Sequence, residues 1–402
     1  MEACELAEEA IKRNPDDARG YSNQGVALTL LGTNERNHGR DADQSYGRAV
    51  TAHQKALDLE PDDPALLFRY GNGLRVYAEY KGNLGEDPSG LLKESASWIQ
   101  RAIDKDPNWP NYFYVLGLCK NVLAGYQWEH GQDPRPALEE ARAAYAAALK
   151  MKPEFWHVRP ALWNVVALMA FADTLQGGDP APVLRQVLTE LQSTTQGSQI
   201  HRTAFMSLVA TYAHISRNEL VHDRNPSEFL EEGRRTLQSA LTTQKDYYAL
   251  HREGGHLETV AGRWAIKRGR PADRYFKAAL GYLHKALELN ANDRGTYASV
   301  AEVYRWNAEY DLGKGVSPER DIRDGIAAAD KAISSNRRPW EALALSGTLE
   351  LIRARAERNT GKRIESAKRA AEKLDRTLQN SVLLRHEYAP LLDEARRMEE
   401  VS

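Results

Sequence analysis

The chain has 402 residues, with 54 basic and 56 acidic side chains and a net charge of −2. A surface so balanced offers no field for long-range capture of nucleic acid or an anionic membrane, so neither is expected as a partner. The two cysteines, Cys4 and Cys119, lie far apart without a CxxC partner, and no run of eighteen apolar residues occurs; this predicts free thiols in a reducing, cytoplasmic setting and no bilayer span.

The N-terminus is acidic and polar and bears no resemblance to a signal peptide. Residues 3–14 place Ala3, Ala7 and Ala10 on one helical face, and then a period begins. Pro15, Pro61, Pro107 and Pro153 follow one another at steps of 46, and the step continues through Gln199, Lys245, Ala291 and Arg337 in loop-like surroundings. A fixed period of this size is the signature of stacked repeats. The expected organisation is a half repeat over 1–14, eight 46-residue units over 15–382, and a final amphipathic helix within 383–402 suited to covering the end of the stack. A half repeat at the start fits either a helical cap or a segment of a longer protein.

Counted from the periodic proline, each unit reads as helix, turn, helix, loop. In the second unit a first helix is predicted from Ala65 to Lys81, and a second ends at Ile103. Glycine recurs 24 residues after the loop point at Gly39, Gly85, Gly131, Gly177, Gly269, Gly315 and Gly361, with Asp223 breaking the set. Glycine tolerates the left-handed conformation that stops a helix. Asp87-Pro88, Asp133-Pro134, Asp179-Pro180, Asn225-Pro226 and Ser317-Pro318 then supply an N-cap oxygen and a proline for the first turn of the second helix. Capping chemistry accounts for these aspartates without a catalytic role.

Second helices carry one apolar stripe: Leu92, Leu138, Leu184, Leu230, Phe276 and Ile322 at offset 31, small residues such as Ala49 and Ser95 at offset 34, Ile99, Tyr145, Leu191, Leu237 and Leu283 at offset 38, and Ala56, Ala102 and their equivalents at offset 41. First helices carry a small residue at offset 17 in every unit, from Gly32 and Ala78 through Ala308 and Ala354. The fourth and fifth units are least regular: Trp163 and Val209 replace a small residue, Arg159-Pro160 is expected to interrupt a helix start, and Ser193 to Ser198 replaces a clean helix end.

These residues resemble the tetratricopeptide (TPR) family. Its large first-helix residue corresponds to Tyr21, Leu67, Phe113, Phe205 and Tyr297, its glycine to Gly25, Gly71, Gly117, Gly255 and Gly347, and its second-helix trio and closing proline to Ala141, Tyr145, Ala148 and Pro153. The family's 34-residue unit is here longer by twelve. The enlarged unit, with its Gly-x-Asp-Pro turn, is similar to repeat regions behind the kinase domain of some bacterial serine/threonine kinases, while no kinase machinery is present: Gly71-Asn72-Gly73 lies inside a first helix and His222-Asp223-Arg224-Asn225 is a turn. The resemblance implies a right-handed all-α solenoid that docks a protein partner, with a peptide receptor as the alternative. In that family the concave wall comes mainly from first helices, which here nominates Phe68, Asn72, Arg75, Tyr114, Asn121, Asn164, Arg252, Glu302, Arg305 and Trp306. Asparagine and arginine can bond a peptide backbone or carboxylate, and the rings can grip side chains. The lysine and asparagine pattern that clamps a C-terminal carboxylate in some members is missing, since Phe68 and Pro160 stand where lysine is expected.

Other constellations have plainer explanations. His251 and His256 are five apart and lack the HExxH order, so no metal or cofactor is expected. Arg263, Lys267, Arg268 and Arg270 around Trp264 could touch phosphate or RNA, but basic residues also belong at the end of a helix. No clustered set of titratable residues is legible, so catalysis is not expected; a closed pocket lined by several carboxylates or histidines would reopen it. The oligomeric state is not encoded in any of these signals.

Overall fold

Long runs without proline, bounded by left-handed stops and capping oxygens, fold here as helices, with no strand among the described residues. The computed structural model describes residues 2–37, 40–84, 86–155, 158–194, 202–334 and 340–400. The periodic points Gln199 and Arg337, the glycines Gly39 and Gly85, and residues 195–198 lie outside them. After α1 (Glu2–Arg13), α2 (Ala18–Asn37) pairs with α3 (Asp43–Leu59), and α4 (Pro64–Asn83) with α5 (Ser89–Lys105). Next come α6 (Pro110–Glu129) and α7 (Arg135–Met151), then α8 (Val158–Leu175) and α9 (Ala181–Thr194). Further pairs are α10 (Arg202–Val221) with α11 (Ser227–Thr243), α12 (Tyr248–Lys267) with α13 (Asp273–Leu289), α14 (Arg294–Gly313) with α15 (Glu319–Ser334), and α16 (Trp340–Ala356) with α17 (Thr360–Asn380). α18 (Arg385–Glu400) packs on α17. Hairpins stack through contacts such as α3 on α4 and α13 on α14.

The chain divides into two compact units. The first comprises residues 1–128 and 134–165, the second residues 129–133 and 166–402. Most first helices are 20 residues long, as in α4, α6, α12 and α14, or about 30 Å. In both units the predicted stripe is the core: Leu92, Leu138, Leu184, Leu230, Phe276 and Ile322 are all buried, as are Ala56, Ala102, Ala148, Ala240 and Ala286. The small offset-17 residues are buried too, and a Cβ on Gly262 would stand 2.5 Å from the Phe276 ring. Close approach of the paired helices is the reason for their size.

The turns depart from expectation in instructive ways. Gly131, Gly177, Gly269 and Gly315 take positive φ as predicted, and so does Asp223 at φ 58, so the backbone motif survives the loss of its glycine. Gly361 is not a stop, because it lies in the first turn of α17 behind the Asn359 cap. The second-helix caps are shifted by one residue. Pro88 and Pro226 occupy the cap itself, while Asp87, Asp179 and Asn225 accept from the amide two residues on, at 2.8, 3.2 and 3.1 Å. The side chain and the proline therefore build an Asx turn ahead of the helix. Pro160 does not break α8, which starts at Val158 and carries it in its first turn, where a missing N–H is harmless.

The irregular stretch is stitched by charge within the second unit. Asp179 accepts from Arg224 at 2.7 and 2.9 Å and from Asn218 at 2.7 Å, which holds its carboxyl well below the usual range. The buried Glu219 accepts from Arg185 and Arg224.

Candidate functional site

In the first unit the nominated residues split into four kinds. Phe68 is 8% exposed, with its ring 5.1 Å from Trp109 and 5.0 Å from Tyr112. Asn72, Arg75 and Glu79 form a chain along α4, with Arg75 donating to Asn72 and to Glu79 at 3.0 Å each, and Glu79 meeting Arg36 of α2 at 3.4 Å. Asn121 of α6 is half-buried and Asn164 of α8 exposed, and neither amide bonds another described residue. Tyr114 is partly exposed beside Tyr145 and Phe155.

In the second unit, the same helix face closes around a cavity of about 260 Å³. Phe171 and Leu175 come from α8, His214 and Arg217 from α10, Arg252, His256 and Thr259 from α12, Gly295, Ser299 and Glu302 from α14, Glu341 and Leu345 from α16. Further wall comes from Leu384, just before α18, and from Glu387 and Tyr388 in its first turn. The final helix therefore does more than cover an end: its first turn faces the wall. A Cβ on Gly131 would collide with the Asn380 carbonyl oxygen, and the Gly131 carbonyl accepts from Val382 N at 2.9 Å, so that turn fastens the α17–α18 link.

Charge is concentrated here. Arg305 donates to Glu387 at 3.1 Å, and Arg217 stands 3.7 Å from both Glu302 and Glu387. Arg263 and Arg305 both lie against the Trp306 ring, each guanidinium 4.2 Å from its centre. Burial pushes Glu302 and Glu387 up, but the surrounding arginines outweigh it and hold both carboxyls below their ordinary value. Burial, aided by Arg217, pushes Arg263 down to about 10. Burial also pushes His214 down to about 4, so it is neutral near pH 7.

The expectation that titratable groups do not cluster is thus corrected: three glutamates and two histidines line one cavity. They come from helices far apart in sequence, which no local motif records. One relay has the order of a hydrolase triad. Ser299 Oγ lies 2.8 Å from His256 Nε2, and His256 Nδ1 lies 3.0 Å from Glu253. Burial pushes Glu253 up, yet His256 and Arg252 hold its carboxyl near 2. Ser299 Oγ also donates to the Gly295 carbonyl at 2.9 Å, and the amides around it are those of the α14 helix interior. No group suited to hold a metal occurs among the described residues, and His251 bonds the Lys245 carbonyl instead.

Of the nominated residues, Arg252 and Glu302 line the cavity, while Arg305 and Trp306 stand behind it. Arg217, His214, Ser299, Glu387 and Tyr388 were not legible as a site. One signal was present: Arg217 and Arg263 fall 46 residues apart at one helix-face position. The basic cluster near Trp264 is divided, with Arg263 on Trp306, Lys267 paired to Asp223, and Arg268 over Trp264 at the helix end.

Fold and face together define the class: an all-α array of TPR-like helical hairpins, an α-solenoid. No described helix is long and apolar enough to cross a membrane. No protein-family model matches the chain, and no curated protein does. Among solved structures it is similar to YrrB, a TPR protein with an unusual peptide-binding site, at 19% identity over 62% of this chain and 97% of that one, with a TM-score of 0.39. It is similar to a monomeric mutant of IFIT1 with Gppp-AAAA at 14% identity, covering 96% and 80%, TM-score 0.49. Yeast Tom70 gives 12% identity, 93% and 90%, TM-score 0.24. Likeness at this level says nothing about what this chain binds.

Proposed function

We propose that the chain is a protein-interaction scaffold rather than an enzyme, with the first-helix face of α4, α6 and α8 receiving an extended segment of a partner protein. The observation that carries this is the pair of free amides on Asn121 and Asn164, with the half-exposed Tyr114 ring on the same helix as Asn121. An asparagine amide presents both a donor and an acceptor, which matches one peptide unit. The free cysteines Cys4 and Cys119 support a cytoplasmic setting. The Gly-x-Asp-Pro unit supports a docking or sensory arm of a signalling protein, such as a bacterial Ser/Thr kinase.

A peptide selected from a display library on the intact chain supplies the test. The Asn121→Ala/Asn164→Ala double variant should bind it at least about tenfold more weakly, two hydrogen bonds being worth roughly 1 kcal/mol each. Undiminished binding by the double variant would sink the reading. The single variants then separate its two forms: a short-peptide receptor loses affinity on either change, whereas a broad scaffold tolerates both.

A second reading, ester or amide hydrolysis at Ser299, is favoured by the Ser299–His256–Glu253 relay in the cavity. A fluorophosphonate probe that labels the chain, but not Ser299→Ala, would make the cavity an active site; absence of labelling removes this reading.

A further inference from the structure

The cavity of the second unit is walled by both signs of charge, and most of those charges are already engaged. Arg252 donates to Asp293 at 3.1 Å, and Glu387 accepts from Arg305 at 3.1 Å. Arg217 and Glu302 differ. They face each other at 3.7 Å, too far for a hydrogen bond, and neither makes one with another described residue. Arg263, at 3.9 Å from Glu302, leaves its buried Nε without a partner. Two arginines thus share one loosely held carboxylate at the edge of a cavity that also offers the rings of Phe171 and Tyr388.

We propose that this cavity binds a free amino acid, its carboxylate bonding Arg217 and its ammonium bonding Glu302, with the side chain against Phe171 and Tyr388. Charge decides between ligand classes. A simple anion would have to face Glu302 and Glu387, and a simple cation Arg217 with Arg263 behind it. A zwitterion meets both signs and brings no net charge into a poorly solvated space. Size agrees: about 260 Å³ lies just below the roughly 300–1,000 Å³ of drug-sized sites, which suits one residue rather than a peptide. A second carboxylate beside Arg217 and Arg263 would also offset the Arg217 charge that, after burial, pushes Arg263 down. Since Leu384, Glu387 and Tyr388 belong to the same wall, a bound ligand would fasten the first turn of α18. This site goes beyond partner docking on α4, α6 and α8 and does not depend on it.

The test is calorimetry and thermal melting of the full chain with each proteinogenic amino acid. At least one should raise the melting temperature, since a ligand of the folded state stabilises it. Its N-acetyl derivative, which lacks the ammonium, and its carboxamide, which lacks the carboxylate, should each bind at least about tenfold more weakly. Arg217→Met and Glu302→Gln should each cost a similar factor with the helical signal unchanged; should either fail to fold, the derivatives on the unaltered chain decide alone. The proposal is overturned if no amino acid produces heat or a shift, or if both derivatives bind as well as the parent. Loss of peptide binding in the Asn121 and Asn164 variants would not move these readings, so the two proposals can fail separately.

Discussion

Arg75 and Arg305 occupy the same position of their repeats, on α4 in the first unit and α14 in the second. Arg75 bonds Asn72 and Glu79, both on its own helix. Arg305 bonds Glu387, 82 residues away on α18, and stacks on Trp306. Repeat position therefore decides which face a side chain joins, while the neighbours supplied by the fold decide what it does there. The first-unit face is satisfied locally and keeps spare amides for a partner. The second-unit face is cross-linked by charge around a cavity.

The comparison can be broken first at Phe68. Phe68→Ala should cost about 3–4 kcal/mol, because it empties a packed site between Trp109 and Tyr112. Denaturant melts give the number, and a loss below about 1 kcal/mol would return Phe68 to the open wall that the sequence suggested.

His53 provides the next largest effect. It holds the apolar stripe position of the first hairpin, packed against the backbone of Gly25 and Gly73, with Nδ1 unpartnered. Burial, with Arg69 adding to it, lowers its pKa to about 4 from 6.5. The unfolded chain takes up the proton first, so stability is whole above pH 6.5 and falls as pH drops through that value toward 4. The loss approaches about 3 kcal/mol at the acid end. Melts of wild type and His53→Leu across that window should coincide at high pH and diverge at low pH, with wild type the less stable, if the two differ only in charge; a wild-type midpoint flat from pH 7 to 4 in this unit contradicts the burial of a neutral ring.

Arg305→Ala sharpens the contrast itself. Removing a guanidinium that is only 7% exposed takes from the partly solvated Glu387 its hydrogen-bonded partner and leaves it Arg217 at 3.7 Å, and should cost about 2 kcal/mol. Hydrogen exchange should show the opening confined to α14 and α18. Arg75→Ala, whose partners stay solvated along one helix, should cost below about 1 kcal/mol. Equal losses would mean that the two faces are alike.

Much of this was legible in the residues. The steps of 46, the glycine stops and the stripes at offsets 31 and 41 are properties of single helices and adjacent pairs, and Leu92, Phe276, Ala102 and Ala286 are buried as their spacing implies. Even so, backbone geometry was less tied to residue type than it looked: Asp223 adopts the left-handed turn, and the Asp-Pro pairs cap one residue early. A preference for a conformation is a weak energy that tertiary contact can override.

By itself, the sequence determined the helices, their pairing into hairpins and the apolar face of each, because those depend on neighbours within one repeat. Only the tertiary structure decided that Arg217, Glu302 and Glu387 meet, since they lie on α10, α14 and α18. Such contacts skip a repeat or leave the periodic region altogether, and a repeating pattern cannot encode a contact that does not itself repeat.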